Sequence, residues 1–99
     1  MKSKVLFEPL RLKEFCLRNH IVRLAFFGSV LRDDFDLESD IDVLVEFEPG
    51  HTPGLRFFSM ELELSELLGR KVDLQTPAFL SPFIRTKVVK EAAIQYEVS

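Results

Sequence analysis

The chain contains no tryptophan, one tyrosine and one cysteine in its 99 residues. A lone cysteine excludes an internal disulfide, so the expectation is a reducing, cytoplasmic setting with Cys16 as a buried helix thiol. No apolar run approaches the ~20 residues of a membrane span, and the N-terminus shows no signal-peptide stretch. Basic residues are scattered rather than clustered, and the net charge is −3. A protein that grips a nucleic-acid backbone presents a basic face, so direct nucleic-acid binding is not expected. What the chain has in quantity is phenylalanine, ten residues of it, which predicts a core of unadorned rings. With 46% hydrophobic and 29% charged residues, it reads as one globular domain over 1–99.

Chemistry concentrates between Phe26 and Phe47. An apolar run, Phe26-Phe27, ends at Gly28-Ser29, with Arg32 three residues on. After an acidic stretch, Asp40-Ile41-Asp42 opens a second apolar run, Val43 to Phe47. Its β-formers predict a strand, and in a strand residues i and i+2 share a face, which pairs the two carboxylates. On a helix the pair would lie ~200° apart and could not share a ligand. Adjacent carboxylates repel unless a cation lies between them, and hard oxygen donors suit Mg²⁺ or Mn²⁺ carrying phosphates. Gly28 permits close backbone approach, and Ser29 offers a hydroxyl and an amide to a phosphate. An EF-hand calcium loop starting at Asp34 fails, since its sixth position is Ser39 and its twelfth Val45. Asp33, Asp34, Asp36 and Glu38 are read as solvated loop acids.

These residues resemble the polymerase-beta-like nucleotidyltransferase superfamily, and within it the minimal nucleotidyltransferase (MNT) branch. The carriers are Gly28-Ser29, Arg32 and, with ten residues intervening after Ser29, Asp40-x-Asp42; Asp33 stands where members often have glycine. The resemblance implies that Asp73, in Lys71-Val72-Asp73-Leu74, is a third catalytic carboxylate and metal ligand beside Asp40 and Asp42. Gly28, Ser29 and Arg32 would then hold the phosphates of ATP. It further implies AMP transfer to a protein, the chain acting as antitoxin to a helical HEPN ribonuclease toxin. The alternatives are neutralisation by contact alone, or nucleotide transfer to a small molecule.

The remaining pattern predicts a small α/β (α+β) unit, a three- to four-stranded mixed sheet flanked by helices. A helix over Leu10 to Leu17 with Pro9 at its opening precedes a strand Ile21 to Phe27. Pro49 to Gly54 reads as a loop able to fold over a nucleotide, with His51 a candidate contact and a plain loop residue the simpler reading. His20 reads as a turn residue. Leu55 to Leu68 reads as the longest helix, capped by Gly69, with Phe57, Met60, Leu64, Leu67 and Leu68 facing the core. Leu55, Phe58 and Leu62 form a second stripe, assigned to a homo- or hetero-oligomer contact. Arg70 to Gln75 is the third strand. Ser81-Pro82 starts a last helix whose apolar face is Ile84, Val88, Val89, Ala92 and Ala93, and Tyr96 to Val98 adds a short edge strand.

Overall fold

A computed structural model describes residues 7–28 and 40–98. Helix α1 (Pro9–Arg18) leads into β1 (Ile21–Phe27), followed by β2 (Ile41–Phe47), α2 (Arg56–Leu68) and β3 (Val72–Gln75). A 3₁₀ turn at Pro77–Phe79 precedes α3 (Pro82–Glu91) and β4 (Ala93–Glu97). The strands form one mixed sheet in the order β3-β2-β1-β4. β1 runs antiparallel to both β2 and β4, while β2 and β3 are parallel.

The period-two alternation of β2 decides what the sheet buries. Ile41, Val43 and Val45 are fully buried and join Leu24, Phe26, Val72 and Leu74 in one cluster. That inner face is covered by α1 through Leu12, Phe15 and Cys16, and by α2 through Met60, Leu64 and Leu68. Each such side chain contributes about 1.5–3 kcal/mol. The intervening residues Asp42, Leu44 and Glu46 therefore point to the other face, which α1 and α2 leave uncovered.

Polar side chains fasten the layers. Buried Asn19 donates from Nδ2 to the Phe15 carbonyl (2.8 Å) and accepts from Arg56 Nη2 on Oδ1 (2.9 Å), joining the end of α1 to the start of α2. Two α2 side chains serve β3. The Leu74 N–H donates to Glu61 Oε2 (2.8 Å), and the Val72 N–H donates to Ser65 Oγ (3.0 Å). Arg23 on β1 bridges Glu46 of β2 (2.9 Å) and Glu97 of β4 (2.8 Å). Hydrogen bonding to Glu97, then the charges of both acids, raise its pKa above the ordinary arginine value.

Two expectations are corrected. The apolar residues of α3 do not form a buried face: none of its residues is buried, and Ile84 and Val89 are exposed. The last strand begins at Ala93 rather than Tyr96. The second follows from Ala92, whose extended ψ of 138° ends α3 so that Ala93 and Ile94 can pair with Phe26 and Ala25. Ser81 does cap α3, its Oγ accepting from the Phe83 N–H at 3.3 Å.

Leu64→Ala should cost about 2–5 kcal/mol in urea unfolding, whereas Leu62→Ala, at an exposed position, should stay within about 0.5 kcal/mol. Burial pushes the Cys16 thiol up to about 12. An unfolded chain releases that proton at lower pH, so stability should fall as pH rises from about 9 toward 12. Unfolding of Cys16→Ala followed over that range should show a flatter profile.

Candidate active site

The face of the sheet turned away from α1 and α2 brings together three elements. Phe27, the last residue of β1, is the register partner of Asp42, so the chain leaves β1 beside that carboxylate. Gly28 follows with φ of +74°, a left-handed conformation that side-chain-bearing residues adopt at a cost. A Cβ there would overlap Asp42 Oδ2 and lie 3.2 Å from its carboxyl carbon. Glycine is thus required twice, for conformation and for space. Its backbone is pressed against the carboxylate in a way no other residue allows.

Across the sheet, Asp42 is the parallel register partner of Asp73. Partners in neighbouring parallel strands project to the same face, with the strands about 4.8 Å apart. Asp73 is exposed between buried Val72 and Leu74, and its Oδ1 accepts from Gln75 Nε2 at 3.0 Å. Asp40, also exposed, immediately precedes β2, where the Ile41 N–H donates to the Lys71 carbonyl (2.9 Å) and anchors the strand entry to β3. Asp42 and Asp73 thus project from neighbouring strands to the face away from α1 and α2, and Asp40 lies at the entry to β2. Ser29 and Arg32, with the acids from Asp33 to Glu38, lie outside the described residues.

An all-oxygen donor set beside a glycine turn fits Mg²⁺ or Mn²⁺ in charge and hardness. Among the described residues, the three whose ligating atoms all lie within 4.8 Å of one another are different ones: His20, Glu48 and His51. They stand at the opposite end of the β1–β2 hairpin, six residues along β2 from Asp42, roughly 20 Å away. The loop from Pro49 to Gly54 therefore does not fold over the aspartates, and His51 is no contact for a nucleotide there. An antiparallel hairpin sends the end of β2 away from its beginning. A cavity of about 450 Å³ lies at that far end too, walled by apolar groups including Phe47, Phe57 and Phe79.

The comparisons with known proteins bear on this arrangement. A sequence profile of the nucleotidyltransferase domain matches residues 10–94. The chain belongs to the nucleotidyltransferase domain family. Protein adenylyltransferase MntA of Thermococcus cleftensis is 36% identical over 80 residues, which cover 80% of this chain and 79% of that protein. A Methanocaldococcus jannaschii protein whose name assigns it provisionally to the same activity is 36% identical over 76 residues, 77% of this chain and 81% of its own. A solved structure described as a minimal nucleotidyltransferase superposes with a TM-score of 0.70 at 38% identity, covering 85% of both chains. The fold is also that of a toxin–antitoxin complex crystallised with AMP-PNP (TM-score 0.71, 19% identity, 94% of this chain and 76% of that one).

In this nucleotidyltransferase-family chain the Gly28 position should tolerate no side chain. Gly28→Ala should keep its far-ultraviolet circular dichroism while losing about 1–3 kcal/mol of stability. Retained stability would show that the turn relaxes away from Asp42.

Proposed function

We propose that the chain transfers AMP from ATP to a hydroxyl group on a helical HEPN-type partner and thereby acts as its antitoxin. The observation that supports this most is the pairing of Asp42 with Asp73 across parallel strands, with Gly28 packed on the Asp42 carboxylate. A relative is named as a protein adenylyltransferase. A structure of the same fold is a complex of an MNT antitoxin with a tri-AMPylated HEPN toxin from Shewanella oneidensis (TM-score 0.64, 18% identity).

In this reading Asp40, Asp42 and Asp73 hold Mg²⁺ or Mn²⁺, which when bound offsets charge on the phosphate oxygens during an in-line displacement. The Gly28 backbone, Ser29 and Arg32 bind the outer phosphates and orient the α-phosphate toward Asp42 and Asp73. Asp73, positioned by Gln75, accepts the proton of the attacking hydroxyl. The acceptor oxygen bonds the α-phosphorus, the bond to the β-phosphate bridge breaks, and pyrophosphate leaves. No helix among the described residues is long and apolar enough to cross a membrane. A reducing cytoplasm suits the buried, unpaired Cys16.

A second reading, neutralisation by contact, draws on Leu55, Phe58 and Leu62, which are 85%, 67% and 70% exposed. Three apolar side chains left in water on and beside one helix suit a partner surface. The two readings separate cleanly. Incubated with α-labelled ATP, Mg²⁺ and the HEPN partner, the Asp40→Asn/Asp42→Asn variant should transfer label at least about a hundredfold more slowly. Its unfolding curve should resemble the parent's. A partner that gains no AMP mass from the parent chain, yet is still inhibited by it, would refute transfer and leave contact.

A further inference from the structure

The cluster at the far end of the hairpin is built from backbone upward. His20 follows the Asn19 cap of α1 in a left-handed conformation, φ +57°, which few residues other than glycine adopt. Its carbonyl accepts the Glu48 N–H at 2.8 Å, continuing the β1–β2 pairing one step beyond both strands. Glu48 then opens the turn Glu48-Pro49-Gly50-His51, closed by the His51 N–H donating to the Glu48 carbonyl at 3.0 Å. Proline followed by glycine with φ of +83° is the residue signature of a type II turn. Two main-chain hydrogen bonds thus hold three residues, drawn from a stretch of 32, in one place.

Their side chains converge. His20 Nδ1 lies 2.9 Å from Glu48 Oε2, the ring N–H donating to the carboxylate. The His20 and His51 rings stack with centroids 3.9 Å apart and planes 19° from parallel. One ligating atom from each of the three lies within 4.8 Å of the other two. All three are exposed, so an ion can reach them without unfolding the chain.

We propose that His20, Glu48 and His51 form a second divalent-metal site, selective for a transition ion of the Zn²⁺ class. Two imidazole nitrogens and one carboxylate oxygen are the donors of three-ligand zinc sites, which keep a further position for water. Imidazole suits zinc, nickel and copper, whereas Mg²⁺ prefers oxygen donors and keeps its water. The site thus differs in chemistry, as well as in place, from the all-oxygen aspartates. Zn–N bonds of about 2.0–2.1 Å require the two rings to turn their nitrogens toward one point, so binding opens the stack. His51 makes this adjustment, being on the loop, while His20 stays anchored between α1 and β1. Binding ties the turn after α1 to the loop that leads into α2.

The test is titration of the intact chain with ZnCl₂ in excess Mg²⁺, followed by calorimetry and by backbone amide NMR. One equivalent of Zn²⁺ should bind, shifting the amides of His20 and Glu48 to His51. His51→Ala should weaken binding at least about tenfold. So should His20→Asn, in which asparagine tolerates the left-handed backbone. Asp42→Asn should bind Zn²⁺ as the parent does. Absence of binding, competition by Mg²⁺, or equal affinity in His51→Ala with shifts near Asp42 would each overturn the assignment.

Discussion

The pairing of β2 with β3 is the constraint on which the site depends. Because side chains alternate along a strand, a slip of one residue would turn Asp73 inward and expose Val72 and Leu74. Burying those two residues contributes about 1.5–3 kcal/mol each, against about 0.5–1.5 kcal/mol for each hydrogen bond in the ladder. The apolar alternation therefore sets the register, and the bonds from β3 to Glu61 and Ser65 refine it. Asp73 stands beside Asp42 because its neighbours are needed in the core.

The same logic divides the sheet by face and by end. Helices α1 and α2 take the inner face and leave the outer one to Asp42, Asp73 and the Arg23 ion pairs. Along the strands, the hairpin separates its glycine turn from its histidine–glutamate end. Hard-oxygen and imidazole donors are kept on opposite ends of one seven-residue strand. If both proposed sites bind, ions of different chemistry would be held without competing for ligands.

Much of this was legible in the residues. The alternation of β2, the proline openings of α1 and α3, and the Gly69 cap located most elements within one or two positions, and the face of α2 bearing Met60 and Leu64 is buried as its spacing implies. The shared face of Asp42 and Asp73 was reachable only through resemblance, since nothing local in Val72-Asp73-Leu74 says which strand lies alongside. The histidine cluster was missed because His20 and His51 were weighed singly. Pairing the start of β1 with the end of β2 would have brought them together. The apolar run in α3 misled because periodicity alone does not show whether a sheet face lies beneath it. Here the sheet instead recruits Ala93 as a strand residue, and α3 stays on the surface.

The bonds that α2 makes to β3 have one more effect. A strand at a sheet margin normally offers bare amides to any passing chain, a route to intermolecular stacking. Here the outward N–H groups of Val72 and Leu74 are already taken by Ser65 and Glu61 respectively. Sheet growth by templating is thereby blocked on the side that carries Asp73. β4 forms the other margin of the sheet, two strands away from Asp42.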